Sequence, residues 1–164
     1  MNKKTTSPHA AVDDSDDPAT VAVWESLVLA VHLLDSALEQ QAQRDGGISH
    51  GQFKILVLLS AAPGRTLGLS ELAEQLRFSL TRLSHAVTTL ERRSLVHRRP
   101  TPGGRRAYEA TLTAEGAAVV AKVLRTQRTQ LRDPLIDAID VDAAVLLTLA
   151  RRAIATLDQL NGEG

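Results

Sequence analysis

One stretch of this chain alternates with a period of two: Tyr108, Ala110 and Leu112 against Ala107, Glu109 and Thr111. Most other apolar residues recur at three- and four-residue steps. Alternation marks a half-buried strand and the longer period marks amphipathic helices, so the sequence predicts a mainly α fold that carries a small β-hairpin. The hairpin is "LVHRRPTPGGRRAYEATLT", residues 95–113, with "TPGG" as its turn and Arg98, Arg99, Arg105 and Arg106 around its tip.

The helices before it can be placed from caps and periodicity. Residues 1–17 lack any period and are expected to form a disordered tail. Asp17 and Pro18 read as N-cap and first helical residue of a helix running to "DGG" at 45–47, about 40 Å long, with Val21, Trp24, Leu27, Val31, Leu34 and Leu38 as its stripe. Ser49 caps a second helix containing Phe53, Ile55, Leu56, Leu58 and Leu59, which stops at "APGR". Ser70 with Glu71 and Glu74 opens a short third helix, "SELAEQLR", and a tight turn leads to Ser79.

Ser79 caps "SLTRLSHAVTTLERRS". Leu83, Val87 and Leu90 share one face and must pack inward, leaving Thr81, Arg82, Ser84, His85, Thr88, Thr89 and Arg92 outside. Two short helices across a tight turn, the second polar and basic on its free face, are what a helix-turn-helix requires. A hairpin that follows directly is a wing, able to lay its arginines along phosphates or into a minor groove. Beyond it Thr113 caps a helix into the 130s, Asp133 and Pro134 are expected to kink it, and Val141–Leu160 forms a last amphipathic helix.

Charge supports the same reading. The formal net charge is zero, yet residues 65–106 hold nine arginines against three glutamates while residues 1–45 carry a net −5. A basic block in a neutral chain predicts a local polyanion-binding surface. Zero cysteines exclude disulfides, thiolate metal sites and thiol redox sensing. The five histidines (9, 32, 50, 85, 97) show no ligand spacing, so no metal is expected, and without a phosphate loop or dinucleotide fingerprint no cofactor is expected. No uninterrupted run of 18 apolar residues and no signal peptide is present, so the expectation is a cytoplasmic protein without a membrane partner. "GISHG" at 47–51 matches a serine-hydrolase elbow, but no strand precedes it and capping is the better role for Ser49, so no catalytic residue is expected.

"SELAEQLRFSLTRLSHAVTTLERRSLVHRR" and "GGRRAYEATLTAEG", with an R-x5-L-T-x-x-G spacing from Arg106 through Leu112 and Thr113 to Gly116, resemble the MarR family of winged-helix transcription regulators. The resemblance covers roughly residues 20–160. It implies a single domain over 18–164, with dimerisation helices at 18–47 and 114–164 around a winged helix-turn-helix lobe at 49–113. It implies a homodimer on double-stranded DNA, acting as a ligand-responsive repressor at a pseudo-palindromic operator. Base and backbone contacts then fall to Ser79, Thr81, Arg82, Ser84, His85, Thr88 and Thr89 of the recognition helix and to Arg98, Arg99, Arg105 and Arg106 of the wing. A small aromatic or anionic effector would be lined by Trp24, His32, His50 and Phe53. Three positions depart from the family pattern: Gly104 where a wing Asp is common, His85 where an Arg is frequent, and Ser94 where a Gly usually ends the helix. A second reading, a degenerate winged-helix module that binds a protein partner instead of DNA, rests on Gly104 and Ser94.

Overall fold

A computed structural model describes residues 17–101 and 107–162. All of the expected tail except Asp17, and the wing residues Gly104, Arg105 and Arg106, lie outside the described residues. The chain divides into two compact units, one ending at Ala37 and one starting at Leu38.

The first unit is most of helix α1, Pro18–Gly46. Proline at the first helical position costs no hydrogen bond, and the Thr20 hydroxyl donates to the Asp17 carboxylate across 3.3 Å. Every residue from Asp17 to Asp35 is exposed, including Trp24 at 64% and Leu27 at 52%. Although no uninterrupted apolar run exists, α1 holds an 18-residue window of mean hydropathy 1.6, long and apolar enough by length and composition to cross a membrane. A stripe this apolar, left in water, requires cover.

The second unit opens with the last turns of α1, where Gln41 and Ala42 are buried. Gly47, at φ 64, ends the helix in the left-handed conformation that glycine tolerates. Helix α2, His50–Ala61, starts in a full capping box: the Gln52 amide donates to Ser49 Oγ and the Ser49 amide to Gln52 Oε1. Strand β1, Thr66–Gly68, leads without a loop into α3, Leu69–Leu76, and a turn at Arg77 and Phe78 leads to α4, Leu80–Arg92. Strands β2, Val96–Pro100, and β3, Tyr108–Leu112, form the hairpin, and α5, Ala114–Gln127, follows. Helices α6, Asp133–Ile139, and α7, Ala143–Gly162, complete the described chain.

The sheet is antiparallel in the order β1-β3-β2, with Leu67 opposite Ala110 and Val96 opposite Leu112. The core beneath it is aliphatic apart from Phe53. Ile55, Leu56 and Leu59 of α2, Leu72 of α3, Leu83, Val87 and Leu90 of α4, Val96, Ala110 and Val123 form one cluster. Burying a full aliphatic side chain contributes about 1.5–3 kcal/mol, so this cluster is the main source of the unit's stability.

Four local details differ from expectation. Strand β1 is too short, at three residues, to show a period, and only its pairing with β3 reveals it. Helix α3 begins at Leu69 behind Gly68, with no side-chain cap, so Ser70 lies inside the helix. Just before Asp133–Pro134, where a kink is expected, the chain widens into a π-type segment that the periodicity does not announce, Arg128–Arg132, in which the Asp133 amide reaches the Arg128 carbonyl. That wider turn absorbs the proline, whose nitrogen cannot donate to the preceding turn. Helix α7 starts at Ala143 instead of Val141, because Asp142 accepts the amides of Ala144 and Val145 as a cap.

Candidate nucleic-acid interface

The outer face of α4 follows from what the helix buries. Leu83, Val87 and Leu90 are fully buried, and their spacing fixes which residues stand outside. Thr81, Arg82, His85, Thr89 and Arg92 are exposed, while Ser84 and Thr88 are half-buried. Ser79 closes the N-terminus by accepting the Arg82 amide at 3.2 Å, so part of its expected contact role is structural. Thr88 and Thr89 donate their hydroxyl protons to the carbonyls of Ser84 and His85, four residues back. Held that way, each hydroxyl offers lone pairs, and it suits a donor such as the amino group of cytosine or adenine.

The turn before α4 holds two residues that sequence reasoning passed over. Arg77 sits at φ 55, the left-handed conformation that commonly ends a helix, and Phe78 follows with its amide on the Ala73 carbonyl at 2.9 Å. The Arg82 guanidinium lies 4.0 Å from the centre of the Phe78 ring and the Lys54 ammonium 5.4 Å from it. An aromatic one residue ahead of a helix cap, in a chain that is 2% aromatic, was the available signal.

The arginines of the basic block divide by their partners. Arg93 donates from both terminal nitrogens to the carbonyls of Gly46 and Gly47, at 3.1 Å to Gly46, and so caps the end of α1. Arg98 is half-buried at the root of the wing, 4.9 Å over the Tyr108 ring and 4.0 Å from the Glu91 carboxylate, which braces β2 against α4. Arg77 pairs with Asp158 of α7 at 2.9 Å. Arg92 and Arg99 are exposed, Arg99 standing opposite Glu109 in the hairpin register.

The motif residues after the wing have structural reasons. Thr113 Oγ1 donates to the Ser94 carbonyl at 2.8 Å and accepts the Gly116 amide at 3.0 Å, tying the end of α4 to the start of α5. A Cβ on Gly116 would stand 2.2 Å from the Leu95 carbonyl oxygen. Ser94, in the place of the expected glycine, sits at φ 58.

The four effector-pocket candidates fall two to a unit. In the first, Trp24 and His32 line one shallow, open hollow of about 360 Å³ with Glu25, Val28 and Leu29. In the second, Phe53 is 3% exposed in the core and His50 lies tilted against it with ring centres 6.2 Å apart. The His50 amide donates to Glu39 at 2.7 Å; that bond, with the Gln43 amide, holds the Glu39 carboxyl below its ordinary range. Ser49 follows the end of α1, not a strand, and its hydroxyl is engaged in the capping box.

Comparison with known proteins places this geometry. A family model described as "MarR family" matches residues 48–108. Sco3205 of Streptomyces coelicolor, a MarR family transcriptional regulator solved in complex with DNA, is 30% identical and superposes with a TM-score of 0.80 over 88% of this chain and 89% of that one. The transcriptional repressor MprA of Escherichia coli K12 is 25% identical over 83% of this chain and 78% of its own. The regulator PapX of Escherichia coli is 28% identical over 87 residues, and that match spans about half of its length, 53%, and 53% of this chain.

Proposed function

Because this chain belongs to the MarR family of transcriptional regulators, we propose that it binds double-stranded DNA as a homodimer and represses transcription from a pseudo-palindromic operator. The observation that carries the reading is the outer face of α4. Thr81, Arg82, His85 and Thr89 project from a helix whose inner face is locked in the core, beside a hairpin with exposed Arg99. Such a helix fits a major groove, where its side chains meet base edges while arginines beside it meet phosphates. The solved complex of Sco3205 with DNA, at 30% identity, supports the same use of the fold.

The dimer is supported by surface chemistry. Val23, Trp24 and Leu27 on α1 and Leu149, Ile154 and Leu160 on α7 are each more than half exposed. A bilayer would suit the length of α1 alone, but α7 carries Arg151 and Arg152 in its middle, and a second copy of the chain covers both helices. A regulator of this kind works in the cytoplasm. Release by a small aromatic or anionic effector completes the proposal, supported by the hollow that Trp24 shares with His32.

The test is selection of duplexes from a random pool followed by footprinting, with and without benzoate as an aromatic anion. The expected footprint covers two half-sites with centres about 10 bp apart. Failure to enrich any sequence, or a single asymmetric half-site, refutes the reading. An unchanged affinity in benzoate removes the effector part for that class of ligand.

A further inference from the structure

We propose that Phe78, Arg82 and Lys54 form a phosphate clamp, in which one aromatic ring holds two cations so that the start of α4 seats on the DNA backbone. The proposal rests on the DNA-binding reading above and adds to it a residue from α2, outside the helix-turn-helix. Three observations carry it. The ring is fixed: the Phe78 backbone amide is bonded to Ala73, and a Cβ at Gly51 would stand 3.5 Å from the ring's tip, so α2 runs directly past it. The two cations lie 4.0 Å and 5.4 Å from the ring centre, inside the range in which a ring's negative face attracts them. Among the described residues neither Arg82 nor Lys54 pairs with a carboxylate, while Arg44, Arg77, Arg98, Arg128 and Arg132 all do.

Two like charges on one ring repel each other, and the ring offsets only part of that repulsion. An oxyanion supplies the rest. A guanidinium stacked on a ring presents its N–H edges in a fixed plane, which suits the oxygens of a phosphodiester, and the ammonium beside it adds a point charge. The same stacking limits how far Arg82 reaches into the groove. Base reading therefore belongs to Thr81, His85 and Thr89, and Arg82, expected only as a DNA contact of this helix, contributes to every sequence alike.

The test compares the wild-type dimer with Lys54→Gln, Phe78→Leu and Phe78→Trp on two duplexes, the pool-selected one and a random-sequence one of equal length, at several salt concentrations. Lys54→Gln is expected to weaken both duplexes about 5-fold and to lower the log-log salt slope by about 0.9 per subunit, the signature of one lost phosphate contact. Phe78→Leu keeps both charges and is expected to weaken both duplexes while retaining the slope, and Phe78→Trp to restore wild-type binding. Wild-type affinity and slope in Lys54→Gln, or a loss confined to the selected duplex, overturns the clamp. Lys54→Gln leaves the ring packing intact, so the test stands even if Phe78→Leu fails to fold. A wild-type protein that binds neither duplex overturns the DNA reading itself, which is a separate outcome.

Discussion

At the scale of single residues, Gly116 and Ser94 show how closely α5 is docked beneath the hairpin. With 2.2 Å between a Cβ at position 116 and the Leu95 backbone oxygen, no rotamer can relieve the clash, and either α5 or the link from α4 to β2 must move. Gly116→Ala is expected to lose on the order of 3 kcal/mol in urea unfolding. Ser94 shows the opposite case, a side chain where glycine would be easier. The left-handed conformation costs an L residue roughly 1–2 kcal/mol, and glycine gives back about 0.5–1 kcal/mol of that through its looser unfolded state. Since the Ser94 contacts at this junction are backbone ones, to Glu91 and from Thr113, Ser94→Gly keeps them. A net gain of about 0.5–1 kcal/mol, read as a rise of a few degrees in Tm, is expected. An unchanged or lower Tm would show that the serine is not strained.

At the scale of elements, the recognition helix and the wing have different expected readouts. His85 faces outward one turn after Arg82, and a neutral imidazole can donate to or accept from a base edge. His85→Ala is expected to cost about 1–3 kcal/mol on the selected duplex and much less on random sequence. Arg99→Ala is expected to weaken both alike and to flatten the salt slope by about one phosphate per subunit. Equal losses on both duplexes for His85→Ala would remove it from base reading. The junction of α1 and α2 responds to acid. Glu39 accepts the His50 amide and the Gln43 side chain, so its carboxyl titrates below the ordinary glutamate range, and Asp45 is lowered likewise by the Thr126 hydroxyl. A lowered carboxyl contributes stability that is complete above its unfolded pKa and is lost as pH falls through its folded one. Glu39→Gln, neutral at every pH, is expected to make the acid-side fall of the urea midpoint shallower. An identical pH profile would contradict that role.

At the scale of the whole molecule, the exposed apolar faces of α1 and α7 demand a partner, and the proposed one is a second copy. Trp24 is the chain's single tryptophan and is 64% exposed in one copy, so its emission reports the interface directly. Sedimentation at micromolar concentration is expected to give a dimer with blue-shifted emission, and removal of residues 141–164 to abolish it. A folded monomer at that concentration, or a stable dimer after the truncation, would contradict this assembly.

What the sequence determined by itself is what depends on neighbours within a turn or two. The caps at Ser49, Ser79 and Thr113, the buried triplet Leu83, Val87 and Leu90, and the alternation of β3 all stand where periodicity placed them, because caps and faces are set by residues three or four apart. Strand β1 escaped that logic, since three residues become a strand only when β3 lies beside them. The basic block is the clearest case of what only the tertiary structure decided. Its arginines are indistinguishable in the sequence, yet Arg93 caps α1 some 46 residues earlier, Arg98 braces the hairpin root against Glu91, and Arg82 stacks on Phe78 with Lys54. Whether a cation is held by the protein or left for an anion depends on which carbonyls, carboxylates and rings the fold brings within about 4–6 Å, and a linear pattern of charge carries no such distance.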